Sequence, residues 1–151
     1  MKKTIIDLFE SSVARYGAKT FLLEKRHRKF EPTTYAETRE QALEVGAGLA
    51  SLGIRPGDKV AILSEGCNAW IISELGLFYA GAISVPLSVK LEESNDLLFR
   101  MRHAEVKAVF VSKHQLPKIR RIRAGLPQLE QVIVLGHIPL ESGETAYGTL
   151  K

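Results

Sequence analysis

Four short apolar runs rich in β-branched residues recur from position 59 onward: Val60-Ala61-Ile62-Leu63, Ala82-Ile83-Ser84-Val85, Ala108-Val109-Phe110-Val111 and Gln131-Val132-Ile133-Val134-Leu135. Runs of this kind, without strict polar alternation, read as strands buried on both faces. Helical patterns separate them: Asn68 to Ala80, Glu92 to His103 with Leu97, Leu98 and Met101, and His114 to Ala124 with Leu116, Ile119 and Ile122. Regular strand–helix alternation implies crossover connections, so the expected fold is α/β, a doubly wound, mostly parallel sheet with helices on both faces. At 151 residues, 45% of them hydrophobic, the chain suffices for one globular domain with a substantial core.

The first third differs. Ile5, Phe9, Val13 and Tyr16 recur at helical spacing, Thr4-x-x-Asp7 offers a cap, and Gly17 is expected to end the helix in a left-handed conformation. Thr20 to Leu23 and Phe30 to Tyr35 read as strands around Lys25-Arg26-His27-Arg28-Lys29, giving a small N-terminal β-hairpin with a charged tip. Thr34-x-x-Glu37 then opens a long helix with a stripe through Tyr35, Thr38, Ala42, Val45, Leu49 and Leu52, which Gly53 closes. The tail, Pro139 to Lys151, has no apolar period and reads as loop or connector.

The net charge of +4 equals the charge of Lys25, Arg26, Arg28 and Lys29; removing these four from the 21 Lys and Arg leaves 17, matching the 17 Asp and Glu. The positive charge is therefore local. The one cysteine, Cys67, cannot close an internal disulfide, so a reducing cytoplasm is expected, with peripheral membrane contact as an additional possibility. The longest uncharged stretch, Leu75 to Val89, contains Pro86 and falls short of the ~20 residues that span a bilayer. Asp7 and Glu10 interrupt any apolar signal core after Lys2-Lys3, so Met1 onward reads as mature protein.

No phosphate-binding glycine motif follows a strand. After Leu63 the chain reads Ser64-Glu65-Gly66-Cys67-Asn68, and Gly46-Ala47-Gly48 lies inside a helical stripe, where small residues serve close packing. Cys67 sits near a helix start without a neighbouring His, and reads as a small buried residue. His27, His103, His114 and His137 show no ligand spacing. Glu92-Glu93 suits the positive end of a helix dipole, Lys118, Arg120, Arg121 and Arg123 suit a solvated helix face, and Trp70 suits core packing. Neither basic segment carries the interleaved aromatics that stack exposed bases, so nucleic acid is not an expected partner. No residue is assigned a catalytic, cofactor-binding or metal-binding role.

Thr34-Tyr35-Ala36-Glu37, Leu49-Ala50-Ser51-Leu52-Gly53 and Pro56-Gly57-Asp58-Lys59-Val60-Ala61-Ile62 together resemble the opening of the adenylate-forming (AMP-binding) acyl-CoA synthetases. The resemblance runs on through Ser64-Glu65, Trp70, Gly81-Ala82, Val85-Pro86-Leu87 and Ala108 to Ser112; Gly66, Ala69 and Ser88-Val89 differ from the residues common there. Ile62-Leu63-Ser64-Glu65 leading to Trp70, with the Phe21 to Thr34 hairpin, is most similar to the long-chain fatty acid CoA ligases.

The resemblance implies that residues 1–151 are the N-terminal part of the large AMP-binding domain of an acid–thiol ligase. It implies a parent enzyme that forms an acyl-adenylate from a fatty acid and ATP with magnesium, then transfers the acyl group to CoA. The phosphate loop and C-terminal domain of such enzymes lie downstream of the matched region, and Ser142 to Gly148 resembles that loop in composition alone. The chain by itself is thus expected to be an inactive fragment without a cofactor of its own, partnered by the remainder of the parent and prone to self-association, which sedimentation would reveal. The alternatives are a free-standing, non-catalytic α/β interaction module and, less favoured, a basic surface that recruits nucleic acid or anionic membrane.

Overall fold

Two reciprocal caps start the first two helices. Thr4 Oγ1 accepts from the Asp7 N–H at 3.1 Å while Asp7 Oδ2 accepts from the Thr4 N–H at 2.8 Å, opening α1 (Ile5–Tyr16). Thr34 and Glu37 repeat the exchange at 3.2 and 2.7 Å, opening α2 (Tyr35–Ser51). Each box satisfies two amides that a helix start leaves unpaired. Gly53 closes the α2 end with φ +86°. Gly17 departs from the expectation: it is right-handed, at φ −43° and ψ −45°. Its carbonyl accepts from the Ala36 N–H at 3.0 Å, so a tertiary bond to the first turn of α2 satisfies the helix end without a left-handed residue. The computed structural model describes residues 3–91 and 95–151; the Glu92-Glu93 pair lies outside the described residues.

Strands β1 (Thr20–Arg26) and β2 (Lys29–Thr34) pair antiparallel in the expected hairpin, but the ladder continues through the basic segment. Only His27 and Arg28 form the turn, at φ 46° and 68°. A two-residue turn with both φ values positive matches the right-handed twist of the flanking strands, which is why the tip is tighter than five residues. The Phe21 ring meets Tyr35 at 4.5 Å and Phe9 at 5.6 Å, both at a tilt, fastening the hairpin base to α1 and α2.

The remaining strands, β3 (Lys59–Leu63), β4 (Ile83–Pro86), β5 (Ala108–Ser112), β6 (Gln131–Leu135) and β7 (Glu144–Ala146), form one parallel sheet in the order β4-β3-β5-β6-β7. The expected α/β architecture is present, with α3 (Asn68–Tyr79), α4 (Asp96–His103) and α5 (Leu116–Ile122) between strands. Alternate strand residues serve opposite faces. Val60, Ile62, Phe110 and Ile133 pack with α2 and α3; Ala61, Leu63, Val109, Val111, Val132 and Val134 pack with Leu97, Met101, Leu116 and Ile119.

Two expectations change. The second apolar run is not buried on both faces: β4 is an edge strand, and Ile83 is 49% exposed. The tail is not all loop: β7 pairs with β6 through Val132–Glu144, Ile133–Thr145 and Val134–Ala146, and a 3-10 turn at Tyr147–Leu150 buries Leu150. Three residues paired with one neighbouring strand need no apolar period, so no sequence pattern marks them.

Helix α2 crosses α3 where glycines allow contact. A Cβ on Gly76 would lie 2.6 Å from Val45 Cγ1 and 3.0 Å from the Ala42 carbonyl oxygen. Gly48 meets Leu150 just as closely, 2.7 Å from its carbonyl oxygen, so Gly46-Ala47-Gly48 serves close packing as expected. Gly76→Ala is expected to destabilise the chain by about 1–2 kcal/mol, because overpacking costs more than the helix-propensity gain. In a Val45→Ala background the same change should cost markedly less; a double-mutant cycle of urea melts measures the difference, and equal costs would refute the contact. Glu10 ties the three N-terminal helices together: it accepts from Arg39 Nε at 2.8 and 2.9 Å and from the Tyr79 hydroxyl. Burial, then the Glu10 hydrogen bond, push the Tyr79 hydroxyl well above its ordinary value.

Candidate functional site

Counted in chain order within its own sheet, the strand order is 2-1-3-4-5, reversing between β3 and β5. Open parallel sheets bind ligands beyond their carboxyl ends at such a reversal. The loops there bring together residues about 50 positions apart. Gln115 Nε2 donates to Glu65 Oε1 at 2.6 Å, Ser64 Oγ donates to the Glu65 carbonyl at 2.9 Å, and the Gln115 N–H donates to Ser112 Oγ at 3.3 Å. Burial pushes the Glu65 carboxyl up, but hydrogen bonds from Gln115 and Ser112 outweigh it and the net shift is downward. Gln115 Oε1 is buried without a hydrogen-bond partner among the described residues.

A cleft of about 620 Å³ opens on the same side of the sheet, between the β6 end and the hairpin, with Asn68, Ile72, Gly136, His137, Tyr147 and Lys151 in its wall. The hairpin supplies its polar rim. Cys67 is the N-cap of α3 and offers no side-chain cap; Glu24 Oε1 instead accepts from the Asn68 N–H at 3.2 Å, and Asn68 Nδ2 donates to Thr33 Oγ1 at 3.4 Å. A carboxylate at a helix start is favoured by the dipole, so Glu24 locks the hairpin over α3. Burial pushes the Tyr147 hydroxyl up to about 12. Ser73 Oγ, a polar neighbour of that hydroxyl, opposes the rise although the two lack hydrogen-bond geometry, and the Tyr147 ring meets Phe110 edge-on at 6.1 Å.

The sequence-flagged residues separate. Cys67 is half-buried and free, and Trp70 packs against the α2–α3 core. His103 stacks on Phe99 at 5.6 Å, His27 sits in the hairpin turn and His137 borders the cleft. The basic helix is more than a solvated face. Lys118 Nζ donates to the Val89 and Leu91 carbonyls at 2.8 Å, Arg120 clamps Glu144 with two bonds of 2.8 Å, and Arg123 donates to the Gly143 carbonyl at 3.2 Å. Sequence reasoning found none of these partners, nor Glu24, Tyr147 or the Glu65–Gln115 bond, because each pairing joins residues from 24 to 50 positions apart or depends on the docked tail.

The chemistry available is limited by these pairings. Among the described residues no hydrogen bond joins an imidazole to a hydroxyl, thiol or carboxylate, and no group of three or more His, Cys, Asp or Glu side chains could hold a metal ion. Glu24 and Glu31 on the rim face any polyphosphate with like charge, and Arg26 already pairs with Glu24 at 2.7 Å. Lys151 stands on the same wall, so the two carboxylates and two cations of the cleft balance in formal charge.

Comparison with known proteins gives the context. Residues 9–151 match the family described as AMP-binding enzyme. A crotonobetaine/carnitine CoA ligase of Salmonella paratyphi A is 31% identical over 141 residues, which cover 90% of this chain and 27% of that protein. A long-chain-fatty-acid CoA ligase of Rattus norvegicus is 27% identical over 143 residues, covering 94% of this chain and 21% of that protein. The crystal structure of an anthranilate CoA ligase in complex with anthranoyl-AMP superposes with a TM-score of 0.87 at 27% identity, covering 96% of this chain and 27% of that one. The chain thus spans roughly a fifth to a quarter of these proteins. With the family match, the parallel sheet and the hairpin in agreement, the chain belongs to the adenylate-forming, AMP-binding acyl-CoA synthetase family.

Proposed function

We propose that residues 1–151 serve as the N-terminal scaffold of the large AMP-binding domain of a long-chain fatty acid CoA ligase, and that this scaffold does not catalyse adenylation by itself. The observation that carries the reading is the asymmetry of coverage. Nearly all of this chain matches its relatives, yet it accounts for 27% or less of the proteins compared above. Adenylation needs donors and a metal oriented against the triphosphate with the carboxylate held in line, and the charge-balanced cleft supplies no surplus of cations for a triphosphate. ATP, magnesium and CoA belong, in this reading, to segments outside the matched region. The remainder of the parent is the natural partner, and self-association of the isolated chain follows if that remainder covers its edges.

The test is pyrophosphate release. The 151-residue chain, supplied with ATP, magnesium, CoA and fatty acids of graded length, is expected to release none above background. A longer protein that carries this segment is expected to release it, fastest with long-chain acids. Turnover by the 151-residue chain alone would overturn the scaffold reading, and a preference for short or aromatic acids would overturn the long-chain one.

A further inference from the structure

We propose that the outer face of the β1–β2 hairpin docks on anionic phospholipid membrane. The hairpin register places Leu23 opposite Pro32 and Lys25 opposite Phe30, so these four side chains share the face turned away from Glu24 and Glu31. Leu23 is 60% and Phe30 66% exposed, and every residue from 25 to 32 is exposed. Phe30 and Leu23 stand close enough in the ladder to enter a headgroup layer together.

The charge around this apolar pair is free to act. Arg26 pairs with Glu24 at 2.7 Å and with Glu31 at 3.8 Å, but Lys25, Arg28 and Lys29 make no ion pair among the described residues. The four basic side chains of this segment equal the whole net charge of the chain. By the same register Lys29 shares the Glu24 and Glu31 face, so the cations beside the apolar pair are Lys25 on its face and Arg28 at the turn tip. Together they match the two components of an anionic interface, acyl boundary and negative headgroup. A nucleic acid would use the cations but has no place for Leu23 and Pro32, and the single ring of Phe30 is not a stacking platform. The surface lies on a membrane rather than spanning it, since no helix among the described residues is long and apolar enough to cross one.

The hairpin is preorganised for this. Its base is held by Phe21 against Tyr35 and by Glu24 on the Asn68 N–H, while the His27-Arg28 turn keeps the two strands in register. Binding therefore orders side chains rather than backbone.

The experiment uses the 151-residue chain and sedimentation with vesicles of phosphatidylcholine containing phosphatidylserine, against phosphatidylcholine alone. Co-sedimentation is expected with the anionic vesicles only, weakening as salt rises. Replacing each of Lys25 and Arg28 by Gln is expected to lower partitioning about fivefold per charge, and Lys29→Gln, on the opposite face, by less. Phe30→Ser is expected to lower it about tenfold with the charges intact, and circular dichroism checks that each variant keeps its fold. Both variants are surface changes, so either one decides. Equal binding to neutral vesicles, no binding, insensitivity to either set of substitutions, or capture by an oligonucleotide but not by vesicles would each overturn the proposal. The readout is independent of turnover, so a failed ligase assay and a failed vesicle assay are distinguishable.

Discussion

Phe110→Ala is expected to cost about 3–5 kcal/mol, the range for truncating a large aromatic side chain in a packed core. Phe110 is fully buried on β5, the middle strand of the sheet, and shares its face with Val60, Ile62 and Ile133. Its ring also meets Tyr147, so truncation opens a void that reaches the docked tail. Domains of this size are stable by about 5–15 kcal/mol; the variant should therefore lie near the edge of folding. The measurement is the urea midpoint, with Phe110→Leu as the volume-conserving comparison, expected to lose less than about 1.5 kcal/mol. A loss below about 1 kcal/mol for the alanine variant would show that the layer beneath α2 and α3 is not close-packed.

Arg120→Ala should release the tail. Glu144 lies in β7 with its side chain 2% exposed, held by two bonds from Arg120 and one from the Glu141 N–H at 2.8 Å. The Arg120 guanidinium, more than the Glu141 amide, holds the Glu144 carboxyl below its ordinary value despite burial. Removing Arg120 leaves an uncompensated buried carboxylate, and an edge strand of three residues can escape by detaching into water. Amide protection at residues 144–146 is expected to fall on the order of tenfold to a hundredfold while β3 and β5 keep theirs. The sign of the pH effect follows from linkage. A carboxyl whose folded value is depressed contributes stability that is present above the unfolded value, near 4.5, and lost as pH falls through the folded one. In Arg120→Ala that acid-side loss should be shallower. Unchanged protection at 144–146 would mean that β7 is held by its backbone ladder alone.

Local signals carried much of the fold. Thr4-x-x-Asp7 and Thr34-x-x-Glu37 announced two helix starts, and the structure forms both boxes. The β-branched runs announced β3, β5 and β6, each buried on both faces. The same reasoning misjudged β4, since whether a strand is central or at an edge is a property of the sheet rather than of the run. It also passed over β7, whose residues carry no apolar pattern and are fixed by partners at positions 120 and 132–134. The cleft was illegible for the same reason: its walls come from the hairpin, the start of α3, the end of β6 and the docked tail. The family resemblance lay in turn and packing residues, Gly53, Pro56-Gly57-Asp58 and Gly81 among them, each serving the scaffold.

What the amino-acid order determined alone is what near neighbours in the chain decide: caps, turn chemistry, and the choice between a period of two and one near three and a half. Those follow from backbone sterics and short-range hydrogen bonds, which act within a few residues. Only the tertiary structure decided which strand became an edge, which cations were left without partners, and how Glu24 came to cap a helix 44 positions away. Such outcomes depend on desolvation and on distances between remote segments, and both exist only once the layers have packed.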